Sequence, residues 1–118
     1  MRRDQLYLTD MIEAADAIAA FVSKCDDEEG FQDDELLKSA VLQKLTVIGE
    51  ASARLSGDLK AQHTEVPWAD VVGFRNKAVH AYFAMDWSIV WTTATRDVPE
   101  LRRQMDAILA VEFPGTHR

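Results

Sequence analysis

The sequence predicts an all-α domain, and three observations carry that prediction. Apolar residues recur three and four positions apart over long stretches, the spacing of one helix face. No stretch alternates apolar and polar residues with the period of a strand. The breaks between periodic stretches fall at Asp, Gly and Pro, residues that start or stop helices.

The first element covers residues 4–25. Leu8, Met11, Ile12, Ala15, Ile18, Ala19 and Val22 form its apolar stripe, and the acidic stretch around Gly30 ends it. A second helix is expected over residues 34–56, with Leu37, Val41, Leu45, Ile48 and Leu55 on its stripe and Ala40 and Ala51 beside it. Asp33 or Asp34 suits its N-cap, and Gly57 suits its stop. Gly49 stands inside this helix, where glycine costs about 1 kcal/mol against alanine. Close approach of another helix is the expected reason.

Residues 57–66 are polar and predicted irregular. Pro67 suits the first turn of a third helix, which carries Trp68, Val71, Val72, Phe74, Arg75 and Val79 and ends near residues 80–82. Asp86 is placed as the cap of a fourth helix starting at Trp87, with Ile89, Val90 and Ala94 on its apolar side. Pro99 should kink or break it, with Asp97 as a new cap before Leu101, Met105, Ile108 and Leu109. The expected architecture is four to five antiparallel helices in one domain over residues 1–113, with a loose tail at 114–118.

Bulk properties narrow the function. The 118 residues make one domain, and 47% of them are hydrophobic, enough for one core. Cys25 is the sole cysteine, so neither an internal disulfide nor a cysteine zinc site is available. The basic start, Met1-Arg2-Arg3-Asp4, is followed by no signal-peptide apolar core. No apolar run approaches the roughly 20 residues that span a bilayer. A cytoplasmic protein without membrane contact is expected. The formal net charge of −7 argues against a general nucleic-acid coat. It leaves room for a nuclease with a local basic cleft, because many acids sit in one block at residues 26–29 and 33–35. The run at 26–29 reads as a solvated loop, with a surface for a basic partner as the alternative, and its spacing offers no metal site.

Chemistry-bearing residues crowd one segment, Arg75-Asn76-Lys77-Ala78-Val79-His80-Ala81-Tyr82. His63, in a polar link, and His117, in the tail, are taken as solvated. On an ideal helix Asn76 and His80 share a face, Arg75 and Tyr82 lie within about 20° of one another, and Arg75 and His80 stand about 140° apart. Arg75 and His80 can meet through a distorted last turn, through the reach of the arginine, or across a two-fold axis. The third and fourth helices carry more large apolar residues than a monomer of this size needs to bury, which also favours a symmetric dimer. Arginine offers a fixed cationic fork for phosphate oxygens, and histidine moves protons near neutral pH. Together they suit metal-free cleavage of RNA, where the ribose 2′-hydroxyl is the nucleophile. Asn76 would orient His80 or the substrate. A structural reading stands beside this one. Arg75 would pair with an acid such as Asp70 or Asp86, and His80 would cap a helix end. Lys77, Arg54, Arg102 and Arg103 are candidates for a basic rim, with Lys77 the nearest to the motif. Trp87 and Trp91, four apart, are core or dimer residues.

The segment from Gly73 to Tyr82 resembles the signature of HEPN domains: arginine, a polar residue that is often asparagine, three more residues, then histidine. Tyr82, two positions on, marks the HepT-like branch. Trp68, Asp86-Trp87, Ile48-Gly49-Glu50-Ala51 and Val98-Pro99-Glu100-Leu101 agree with that branch, and the resemblance covers nearly the whole chain. It implies a HEPN-type helical bundle that dimerises with its motifs facing a shared cleft. The implied activity is that of a metal-independent endoribonuclease toxin, with Arg75 and His80 catalytic and no cofactor. The implied partner is a minimal nucleotidyltransferase (MNT) antitoxin that can transfer AMP from ATP to Tyr82. The alternative is a non-catalytic HEPN module that binds nucleotide or RNA.

Overall fold

A long helix laid against a second one organises the molecule. A computed structural model describes residues 2–76 and 86–115, excepting the side chain of Arg2. Helix α1, Arg2–Val22, packs along most of α3, Glu35–Arg54, and also against the C-terminal helix. Their facing stripes are those of the sequence: Leu8, Met11, Ile12, Ala15 and Ile18 on α1, and Val41, Leu45 and Ile48 on α3, all buried. Ala19 of the predicted stripe is exposed, and Val22 is half-buried at the helix end. Between these helices lies α2, Glu28–Gln32. The acidic run at 26–29 is solvated as expected, but its second half, Glu28 and Glu29, opens a helical turn where a loop was expected. Asp27 caps it by accepting from the Gly30 amide at 2.9 Å, and fully buried Phe31 anchors it to the core. Asp34 caps α3 through the Leu37 amide at 3.0 Å.

The link at 57–66 is more ordered than its polarity suggests. Helix α3 ends at Arg54, and α4, Gly57–Gln62, follows at once, so Gly57 opens a helix where the sequence suggested a stop. Ser56 is the cause. Its hydroxyl accepts from the Leu59 amide at 3.2 Å and donates to Asp4 Oδ2 at 2.6 Å, while its own amide donates to Asp4 Oδ1 at 2.8 Å. Buried Asp4 thereby ties the start of α1 to the start of α4. His63 is not solvated either. Its Nε2 lies 2.8 Å from Glu112 of the last helix, and its ring is only 14% exposed.

Helix α5, Trp68–Val72, has Pro67 at its N-cap position. From residue 87 come α6, Trp87–Thr92, a π-helical turn, Thr93–Asp97, and α7, Val98–Glu112. Helical structure is unbroken from 87 to 112, so Pro99 causes no break, and Asp97 makes no capping bond. A π turn is wider than an α turn. One set immediately before Pro99 relieves the clash of its ring with the preceding carbonyls and accommodates its missing N–H. Asp86 stands at the N-cap position of α6, also without a side-chain capping bond. The described residues form α1 to α5, the continuous stretch 87–112 and a short helical segment at 74–76, with no strand among them, where the sequence suggested four to five helices. Val90 and Ala94 face the core, whereas Ile89 is 49% exposed. Among the described residues no helix is long and apolar enough to cross a membrane.

Candidate functional site

Helix α5 and the residues after it carry the first half of the polar motif. Two contacts with the preceding segment fix where α5 starts. The Trp68 indole N–H donates to the His63 carbonyl at 2.9 Å, and the Trp68 amide donates to the Val66 carbonyl at 2.9 Å. Val66, Val71 and Phe74 are buried and press this segment onto the core. The Gly73 amide donates to the Ala69 carbonyl at 3.0 Å, and the Asn76 amide to the Gly73 carbonyl at 2.9 Å. Helical structure resumes at 74–76. With Val71 and Phe74 pointing inward, Arg75 lies to the side, against α3.

The contact with α3 is close. A Cβ built on Gly49 would lie 2.5 Å from the Arg75 amide nitrogen, 2.8 Å from the Arg75 Cβ and 3.0 Å from the Val72 carbonyl oxygen. Any side chain at position 49 would collide with backbone, so the glycine expected to admit a close helix does so here. The next residue along α3, Glu50, meets the arginine side chain. Arg75 Nη1 stands 3.4 Å from Glu50 Oε1, with the two side chains 40% and 46% exposed. Among the described residues this is the ion pair that Arg75 makes, and Asp70 and Asp86, its expected partners, do not take part. Glu50 also lines a groove of about 360 Å³ between α1 and α3, together with Tyr7, Asp10, Thr46, Val47 and Arg54.

Arg75 and Asn76 are adjacent at the surface, the first half-buried and the second exposed. Lys77, His80 and Tyr82 lie outside the described residues, as does His117. The proposed basic rim is largely neutralised where it is described. Arg102 Nε donates to Asp16 at 3.0 Å, with Asp106 at 3.6 Å, and Arg103 pairs with Glu100. The Glu100 carboxyl is held below the usual carboxylate range by its hydrogen bond from Arg103. Arg54 remains exposed on the groove. No group of His, Cys, Asp and Glu among the described residues could hold a metal ion. Glu50 stands in the segment Ile48-Gly49-Glu50-Ala51, and the sequence alone assigns it no role. The signal was its place beside a mid-helix glycine, since the residue next to a close backbone contact is well placed to meet the visiting chain.

Residues 11–108 match the family described as Ribonuclease HepT-like. A protein of Thermococcus cleftensis named as a probable ribonuclease HepT is 35% identical over 86% of this chain and 92% of its own length. A candidate RNase of Methanocaldococcus jannaschii is 32% identical over 91% of this chain and 98% of its own. Another, from Caldanaerobacter subterraneus, is 37% identical over 71% of this chain and 75% of its own. No solved structure matches the chain.

Proposed function

Since the chain belongs to the HepT-like ribonuclease family, we propose that it is a metal-independent endoribonuclease in which Arg75 holds phosphate and His80 moves protons. The observation that supports this reading best is the placement of Arg75. Its backbone is pressed against α3 at Gly49 while its guanidinium reaches the surface half-exposed, so a fixed base presents a cation to solvent. A guanidinium has five donors, and the contact with Glu50 leaves most of them for phosphate oxygens. The 2′-hydroxyl of the substrate ribose attacks its own phosphate, and the imidazole takes up or returns the proton in transit. Asn76, exposed beside Arg75, orients the substrate or His80, and Lys77 adds positive charge to the RNA path.

The decisive experiment is cleavage of RNA in the presence of a chelator by the wild-type protein and by folded His80→Ala and Arg75→Ala variants. Cleavage by the wild type alone is expected. Full activity in His80→Ala, or strict dependence on added metal, overturns the mechanism.

The same reading places two copies of the motif in one cleft of a homodimer in the cytoplasm. It makes the protein the toxin of a pair neutralised by an MNT nucleotidyltransferase. AMP transfer to Tyr82 would set an anion where RNA phosphate must bind. A monomer by light scattering at tens of micromolar (an order-of-magnitude working range) removes the shared cleft. An unmodified intact mass for toxin silenced by its partner removes Tyr82 as the switch.

A second reading, a HEPN module that binds nucleotide or RNA without cutting it, draws on the net charge of −7 and on the acids already paired with Arg102 and Arg103. RNA bound tightly but left intact by the wild-type dimer would favour it.

A further inference from the structure

We propose that Glu50 is the positioning residue for Arg75, setting the orientation of the guanidinium before RNA arrives; this rests on the phosphate-binding role of Arg75 proposed above. Two adjacent residues of α3 grip the arginine at its two ends. Gly49 fixes the base, because the Arg75 amide and Cβ stand where a side chain at position 49 would be. Glu50 meets the tip, Oε1 to Nη1 at 3.4 Å. Between these points an arginine side chain has four rotatable bonds, and a free one samples many rotamers. Contact at both ends removes most of that freedom.

Stability does not account for the pair. Both side chains are 40% or more exposed, and exposed pairs of this kind contribute little to folding because water screens them. For a protein that binds RNA, a carboxylate beside the phosphate-binding cation is also unfavourable, since it repels the incoming anion. A group that weakens ground-state attraction without holding the fold together fits best as one that orients. It engages one edge of the guanidinium and turns the remaining N–H donors toward the place where charge develops on the phosphate. Glu50 touches neither substrate nor reacting atoms and acts only through Arg75.

The role has a kinetic signature. Removing a positioning group lowers kcat. Removing a negative charge from an RNA-binding surface leaves KM unchanged or lowers it. Glu50→Ala should therefore lose about tenfold to a hundredfold in kcat, the scale of a misplaced catalytic group, without a rise in KM. Glu50→Gln keeps an oxygen that can accept from Nη1 and should recover part of the loss. The melting temperature should be unchanged in both.

The test is single-turnover cleavage of an RNA oligonucleotide by the full chain as wild type, E50A, E50Q, R75A and E50A/R75A. R75A and E50A/R75A should both fail to cleave, because the group that Glu50 positions is gone. An E50A enzyme with wild-type kcat overturns the inference while leaving Arg75 in place. So does equal loss in E50A and E50Q. Wild-type activity in R75A overturns the role of Arg75 and that of Glu50 with it. A readout independent of turnover is the ¹⁵N relaxation of the Arg75 Nε–H group. Its order should fall in E50A, and an unchanged order parameter also overturns the inference.

Discussion

Gly49 and Arg75 are in contact through backbone: a Cβ at position 49 would stand 2.5 Å from the Arg75 amide nitrogen. No rotamer change relieves a collision with backbone. In an ordinary helix interior, Gly→Ala gains about 1 kcal/mol. Here the overpacking should prevail and destabilise Gly49→Ala by about 1–3 kcal/mol net. The melting temperature should fall by several degrees, at about 4–8 °C per kcal/mol for a small domain. RNA cleavage should fall with it, because the base of Arg75 moves. Thermal melting checks this, and an alanine variant as stable as wild type would mean that α3 and residue 75 have room to spare.

Asp4 is the second long-range tie. Its carboxylate accepts both the amide and the hydroxyl of Ser56, and the hydroxyl in turn accepts from the Leu59 amide. Asp4→Ala leaves the part-buried amide and hydroxyl of Ser56 without that acceptor, a loss of about 1–3 kcal/mol. Asp4→Asn retains one acceptor oxygen and should lose less. Urea titrations that rank the two variants in the reverse order would show that an asparagine N–H group facing the Ser56 donors is worse than no side chain there.

Much of this was legible in the sequence, for reasons that differ by element. The α1 and α3 stripes were visible because both helices are long enough for a 3.6-residue period to repeat several times. The mid-helix Gly49 announced its close neighbour because propensity alone disfavours it. The short helices were missed. Glu28–Gln32 and Gly57–Gln62 are five and six residues long, too short for a period to show. Each is set by an Asp or Ser cap plus one buried apolar residue, Phe31 or Leu59. His63 looked solvated because Glu112, its partner, is 49 positions away. Glu50 as the partner of Arg75 is likewise a long-range fact, 25 positions away, whereas Asp70 and Asp86 lie near Arg75 in sequence. The π turn before Pro99 was hidden because proline signals a disruption without saying whether the helix breaks or widens.

Cys25 should be a slow nucleophile. Burial raises its thiol above the usual range, and the nearby carboxylates of Asp34, Asp26 and Asp27 raise it further. At neutral pH almost all of it is protonated, and the protonated form does not attack. Alkylation by iodoacetamide should be slower than that of a small thiol at pH 7.5 and should climb through pH 9. Salt should accelerate it modestly, since screening weakens the carboxylate contribution and not burial. The sign for folding follows. A thiol raised in the native state adds stability in full below its unfolded value of about 8.5, and that stability is lost as pH rises through the native value. A folded protein whose Cys25 reacts at the rate of free cysteine would contradict this account.

The last prediction concerns Lys38, a buried cation on α3. Its ammonium lies 2.7 Å from Glu35 Oε1 and 4.5 Å from the centroid of the Trp87 ring, and the residue is only 4% exposed. Trp87 in turn meets Phe31 edge-on at 6.4 Å, so the cation caps a cluster drawn from α2, α3 and α6. The two partners of the ion pair are unequal, because Glu35 is 86% exposed. Removing Lys38 leaves a carboxylate that water solvates. Removing Glu35 leaves an ammonium in the core with only the ring face for company. Lys38→Met forfeits a cation–π contact of about 0.5–2 kcal/mol, but it also removes the penalty of burying a charge and keeps the packing of the stem. Glu35→Ala has no such compensation. Glu35→Ala should therefore be the less stable variant, and adding Lys38→Met to it should restore stability toward that of Lys38→Met alone. Chemical denaturation of the two single variants and the double variant checks this. A Glu35→Ala protein as stable as wild type beside a strongly destabilised Lys38→Met would show that the ring alone satisfies the ammonium and that the carboxylate is incidental.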